Sequence, residues 1–126
     1  MGSWKFNLQT SRVSNPDNFK DRRQVFEALG PDSWRFTESG WFNGAERTES
    51  NVVALDGKEH AWADGTTVSY KRIDSNHAIG TRRRKGRSQS VDVTISKDGK
   101  TLTLLVKGDN LNTGNFLDQT EVFDRE

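Results

Sequence analysis

Only two histidines, His60 and His77, stand among the residues that could carry chemistry, and there is no cysteine. A zinc site would need both histidines and added carboxylates, yet no His-x-His, His-Glu-x-x-His or calcium-loop spacing is present. The absence of cysteine also excludes a disulfide scaffold, a thiol nucleophile and cysteine-ligated iron–sulfur clusters. No nucleophile-elbow serine, phosphate-cradling glycine loop or dinucleotide fingerprint occurs. The expectation is a protein working without a metal or a cofactor.

What remains are polar residues spaced two positions from apolar ones. Glu38 follows Trp34 and Phe36 at that spacing, Glu27 shares the phase of Val25 and Leu29, and His77 and Arg83 share the phase of Ile79. On strands with one buried face these side chains would enter an apolar interior. Desolvation there raises a carboxylate's pKa, and a neighbouring His or Arg splits the pair into a base and an acid. Glu27, Glu38 and His77 are therefore the candidate catalytic residues of a cofactor-independent isomerase, lyase or cyclase. A single β-bulge would instead turn the same groups to the rim or into satisfied ion pairs. Arg83, in its inward phase, would anchor a ligand carboxylate.

Aromatic residues are the other resource: four Trp, one Tyr and seven Phe in a chain otherwise short of aliphatics. Side chains of this kind line pockets for planar ligands, and they also fill the interior of a small barrel. The candidate ligand contacts are Trp34, Phe36, Trp41, Trp62, Tyr70 and Leu104. His60, beside Trp62, is either a gate residue at a barrel mouth or an exposed loop residue.

The elements that must position these groups are legible from turn signals. Gly30-Pro31-Asp32-Ser33, Asn43-Gly44, Asp56-Gly57, Asp64-Gly65, Asp74-Ser75-Asn76, Lys85-Gly86 and Asp98-Gly99 recur at the short intervals of an all-β meander. Between them, Trp4-Phe6-Leu8, Trp34-Phe36, Val91-Val93-Ile95 and Leu102-Leu104-Val106 alternate with period two. Strands are predicted near 4–9, 22–29, 34–42, 46–54, 66–73, 77–84, 87–96, 101–107 and 118–124, with a short piece near 59–63 and a loop over 108–117. That many strands joined by tight turns hide their edges best in an antiparallel up-and-down β-barrel, with a β-sandwich as the alternative. Residues 16–29 are ambiguous. Asn15-Pro16-Asp17 and Gly30-Pro31 read as the start and stop of a helix, while Phe19, Val25, Phe26 and Leu29 fit a helix or a strand equally.

About a fifth of the residues are Leu, Ile, Val or Phe, near the level where chains stop folding, but a net charge of +1 removes the repulsion that disorder needs. The expectation is one folded domain over residues 1–126 with a modest core. No apolar run approaches the ~18 residues of a membrane span. No charged-then-apolar signal segment precedes Trp4, which suits either a cytoplasmic protein or an already processed chain. Seven basic groups against Asp74 fall within 71–87, and five acids against Arg125 within 108–126. The basic hairpin, Arg82–Arg87, reads as a solvated surface paired with the acidic C-terminal strand; a lesser alternative is a nucleic-acid contact. No aromatic interleaves with Arg82–Arg87, as a single-strand platform would require.

Three stretches in order, Gly2-Ser3-Trp4-Lys5-Phe6-Asn7-Leu8, Val68-Ser69-Tyr70-Lys71-Arg72-Ile73-Asp74 and Ser96-Lys97-Asp98-Gly99-Lys100-Thr101-Leu102-Thr103, with Asp56-Gly57-Lys58 between the first two, form a further pattern. It resembles a group of small bacterial lipocalin-like proteins of about this length. The Gly-x-Trp opening is similar to the lipocalin signature, in which the Trp closes one end of the barrel. The resemblance implies a calycin-type barrel, a periplasmic or secreted location, no settled activity, and a strand over Arg22–Leu29. Glu59-His60-Ala61-Trp62, Gly40-Trp41-Phe42 and Arg82-Arg83-Arg84 depart from the shared pattern. The function expected is binding of a small hydrophobic or aromatic molecule in the barrel lumen, by a monomer or homodimer, with the acid/base enzyme as the alternative.

Overall fold

Strand-forming residues set two apart, broken by glycine turns, lead to one antiparallel sheet in which every consecutive pair of strands but one is hydrogen-bonded. The computed structural model describes residues 2–42 and 44–126. Its strands are β1 (Gly2–Phe6), β2 (Arg23–Gly30), β3 (Ser33–Phe42), β4 (Ala45–Ala54), β5 (Asp56–Ala61), β6 (Thr67–Asp74), β7 (His77–Arg84), β8 (Arg87–Ile95), β9 (Thr101–Asp109) and β10 (Phe116–Arg125). They form a single sheet in the order β4-β3-β2-β1-β10-β9-β8-β7-β6-β5, in which the first strand pairs with the last. The sheet curls into a nearly closed barrel with a seam between β4 and β5. This is the up-and-down barrel of the sequence reading rather than the sandwich. Asn43 of the Asn43-Gly44 turn lies outside the described residues.

The ambiguous segment divides. A short 3-10 turn takes Pro16–Phe19, started by the proline, and β2 takes the remainder from Arg23. The 108–117 loop is shorter than expected, because β9 continues to Asp109 and β10 begins at Phe116. Leu8 does not extend the Trp4-Phe6 face: it opens a second 3-10 turn, Leu8–Thr10, and stays exposed.

The core occupies one end of the barrel. Trp4, Phe123, Leu102 and Val91 are fully buried there, and the guanidinium of Arg125 lies 5.2 Å from the Trp4 ring centre. Strands β1, β8, β9 and β10 carry these side chains and so form the most deeply packed wall. Toward the middle, Phe26 meets Trp34 edge-on at 5.7 Å and lies 6.1 Å from Phe36, which in turn lies 5.4 Å from Trp62. Beyond this aromatic layer the inward positions become polar.

Candidate functional site

Inward positions of six strands turn from apolar to polar at the same level, which leaves a chamber where the core stops. It is a cavity of about 260 Å³ between the aromatic layer and the loops around residues 64–66 and 110–112. A second cavity of only about 20 Å³ lies among Phe26, Trp34, Phe36, Val53, Tyr70, Val93 and Leu104. Gln24, Phe36, Arg82 and Leu104 line both, so the small cavity is the apolar floor of the chamber.

Each polar group reaches the chamber by period-two alternation. Gln24 precedes Phe26 on β2, Glu38 follows Phe36 on β3, and Gln119 and Glu121 stand between Leu117 and Phe123 on β10. Arg22 is delivered by the turn ahead of β2. Gly40 permits this, because its φ of +130° and a Cβ that would fall 2.8 Å from the Arg22 Cα leave room only for glycine. Arg22 then donates to the carbonyls of Asn18 and Trp41, stacks 3.7 Å from the Phe42 ring centre, and lies 3.5 Å from Glu38. Glu38 also accepts from the Gln24 amide at 2.5 Å.

On the opposite wall Arg82 donates from Nε to the Tyr70 hydroxyl at 2.8 Å, and its guanidinium sits 5.4 Å from the Trp62 ring centre. Burial works against its charge, but Tyr70, Glu38 and Glu121 more than restore it, so Arg82 holds its proton more firmly than usual. Glu121 is in the reverse condition. Burial, reinforced by the charge of Glu38, pushes its carboxyl up to about 7 against the opposing pull of Gln119, Arg82 and Arg22. Gln119 donates to Glu121 at 2.9 Å, and among the described residues no cation pairs with it within 4 Å. At the rim, Arg84 bonds Asp64 at 3.1 Å and also reaches Asn112. Burial disfavours the Asp64 charge, yet the Thr66 amide and hydroxyl together with Arg84 hold its carboxyl below the ordinary range.

The structure brings together Trp34, Phe36, Glu38, Trp62, Tyr70 and Leu104 around the two cavities. It does not bring in the others. Glu27 is exposed, because the inward phase of β2 is that of Gln24 and Phe26, and Val25 and Leu29 face out. His77 lies on the outer face, 2.9 Å from Asp92, and Arg83 pairs with Glu59 outside the barrel. The inward phase that Ile79 predicts fails because Ile79 is itself exposed; the inward phase of β7 is that of Ala78, Gly80, Arg82 and Arg84. Gly80 faces the Tyr70 ring across the strand pair, so the inward residue there must be small and the apolar signal falls on the wrong side. Trp41 lies in the phase opposite Phe36 and Glu38, with Lys20 Nζ 5.4 Å from its ring centre. His60 is exposed and bonds Asp56 at 2.9 Å rather than gating the chamber.

The basic hairpin is not paired with the C-terminal strand. Arg82 turns inside, Arg83 and Arg84 use Glu59 and Asp64, and Arg87 donates to the Leu111 carbonyl. Sequence reasoning missed Arg22, Gln24, Arg82, Gln119 and Glu121. For the last two the signal was available, since Leu117 and Phe123 share their phase.

An antiparallel ten-stranded sheet closed by pairing of its first and last strands, with a chamber at one end, settles the architecture. The chain has a calycin-type barrel fold. No family model matches the sequence, and no curated protein matches it either. Among solved structures, it is similar to a Schistosoma mansoni fatty acid binding protein in complex with arachidonic acid. The TM-score is 0.69 at 12% identity, over 100% of this chain and 95% of that one. It is similar as well to the fluorescent protein UnaG, with a TM-score of 0.70 at 10% identity over 100% of this chain and 96% of that one.

Proposed function

We propose that this calycin-type barrel binds a small hydrophobic or aromatic molecule in its interior, with Trp34, Phe36, Trp62, Tyr70 and Leu104 as apolar contacts. The observation that carries this reading is the chamber of about 260 Å³ resting on an aromatic floor. The volume lies just below the roughly 300–1,000 Å³ of drug-sized pockets, which suits a compact ligand. The arachidonic acid complex of the fatty acid binding protein supports the choice of the barrel interior as the site. The resemblance of the Gly2–Leu8, Val68–Asp74 and Ser96–Thr103 stretches to small bacterial lipocalin-like proteins supports the same choice. The enzyme alternative has lost the partners it needed, because Glu27 and His77 lie outside the chamber.

Two of the four tryptophans, Trp34 and Trp62, border the cavities, so occupancy should quench indole emission. Titration with hydrophobic acids, phenols, amides and amines of two-ring size is expected to give saturable quenching, and Trp62→Phe to remove part of the amplitude. Unchanged emission and no heat of binding across the whole panel would overturn the reading.

A further inference from the structure

Resting on the carrier reading, the geometry points to a ligand that joins a hydrogen-bond acceptor and an N–H donor on one compact aromatic body, bound between Arg82 and Glu121. The argument begins with the charges that line the chamber. Arg22 is matched by Glu38 at 3.5 Å, Arg84 by Asp64 at 3.1 Å, and Glu49 by Arg47 at 3.9 Å. Arg82 and Glu121 have no ion-pair partner within 4 Å among the described residues, and they come from different strands, β7 and β10, three places apart in the sheet. Glu121 is 8% exposed, and among the described residues it accepts from Gln119 alone while Arg82 spends only Nε, on Tyr70. The remaining guanidinium N–H groups are donors awaiting an acceptor, and the Glu121 carboxylate has acceptor capacity awaiting a donor.

Two neutral groups repeat the pairing. The indole N–H of Trp34 and the amide oxygen of Gln24 are both buried and have no partner among the described residues. The Gln24 orientation is fixed because its nitrogen donates to a carboxylate, which leaves the oxygen as the free acceptor. Both residues line the chamber floor. A buried polar group left unpaired costs about 1–3 kcal/mol, so the interior selects for a molecule that supplies both donors and acceptors. A ligand bearing a carboxylate alone would satisfy Arg82 but set a second anion against Glu121 and Glu38. A ligand bearing an amine alone would leave Arg82 and Trp34 unmet. The class that fits is a planar amide, lactam or comparable N–H-bearing heterocycle.

Three probes that share one ring system test this by calorimetry at pH 8, where Glu121 is mostly charged: 2-naphthamide, 2-naphthoate and 2-naphthylmethylamine. The amide is expected to bind at least tenfold tighter than either of the others. Glu121→Gln, which keeps shape and removes charge, is expected to raise naphthoate affinity and shrink the gap between amide and acid below threefold. The inference is overturned if naphthoate or the amine equals the amide on the wild-type protein, or if Glu121→Gln leaves the ratio unchanged in a variant whose melting curve shows it folded. Tight naphthoate binding with indole quenching would sink the inference and leave the carrier reading standing. Binding of none of the three, nor of any compound in the wider panel, would overturn both.

Discussion

Glu121 is the residue at which stability and ligand choice meet. Its carboxyl is raised from 4.5 to about 7 by burial and by Glu38, which corresponds to a penalty of about 3 kcal/mol when it is charged. A group whose folded pKa is raised binds more protons folded than unfolded between those values. The penalty is therefore absent below pH 4.5, grows as pH rises, and is complete above about 7. Glu121→Gln should accordingly stabilise the protein at pH 8 by roughly 3 kcal/mol and leave it unchanged near pH 4, with the difference between two sets of melting curves as the measurement. Equal stability of the two proteins at pH 8 would show that Glu121 ionises without penalty. Arg22 is the opposite case, a buried cation whose terminal nitrogens have acceptors in the Asn18 and Trp41 carbonyls and Glu38, although its Nε has none among the described residues. Arg22→Met removes the bonds to the Asn18 and Trp41 carbonyls and strips Glu38 of its counter-charge. The expected cost in chemical denaturation is about 3 kcal/mol, the scale seen when one member of a buried pair is deleted.

At the scale of the element, alternation was legible wherever bulky residues mark the inward face. Trp34-Phe36-Glu38 on β3 and Leu102-Leu104-Val106 on β9 both point as their spacing predicts. It failed on β7, where the inward face is built from Ala78 and Gly80 and then from arginines, while the outward face carries Ile79. It failed on β2 for a related reason. Val25 and Leu29 outnumber Phe26 as apolar markers, and the register shift between Ala28 and Gly30 leaves Leu29 at the exposed end of the strand. The polar chamber was hidden by the same logic, because a buried Gln or Glu looks like a surface residue until its strand is closed into a barrel. Gly80 shows what such a silent position does. A Cβ there would fall 2.4 Å from Tyr70 Cδ1, so Gly80→Ala must displace the ring whose hydroxyl holds Arg82. The variant is expected to lose about 1–3 kcal/mol, typical of overpacking, and to weaken ligand binding. Tyr70→Phe keeps the ring and removes only the hydroxyl, so it should weaken binding with a smaller loss of stability. If Gly80→Ala melts with the wild type, the ring is free to move and the β6–β7 contact does not hold Arg82 in place.

For the whole molecule, the decisive feature is that the barrel is closed by hydrogen bonding at β1–β10 and by side chains at β4–β5. The ladders run unbroken through β1, β10, β9 and β8, behind the fully buried Trp4, Phe123, Leu102 and Val91. At the seam no ladder joins β4 to β5 among the described residues. The edges are held instead by the Trp62 indole N–H on the Val52 carbonyl at 3.1 Å and by Val53, Leu55 and Val68 packed on either side. Every residue of β5 is exposed, and β4 is exposed from Ala45 to Ser50. Local opening costs least where few apolar contacts must separate, so hydrogen exchange should divide the sheet. Paired amides of β4 and β5 are expected to exchange through local opening, and those of β9 and β10 only through global unfolding. Trp62→Ala removes the bridge and the Phe36 contact together, and it should accelerate exchange in β4 and β5 beyond its effect on global stability. A saturating ligand that touches Phe36, Trp62 and Leu104 spans both sides of the seam, so it should slow exchange there more than in β9 and β10. Uniform exchange rates in the free protein would show that the seam is as firm as the rest of the barrel, and ligand-induced protection confined to the β8–β10 wall would show that the chamber does not depend on the seam.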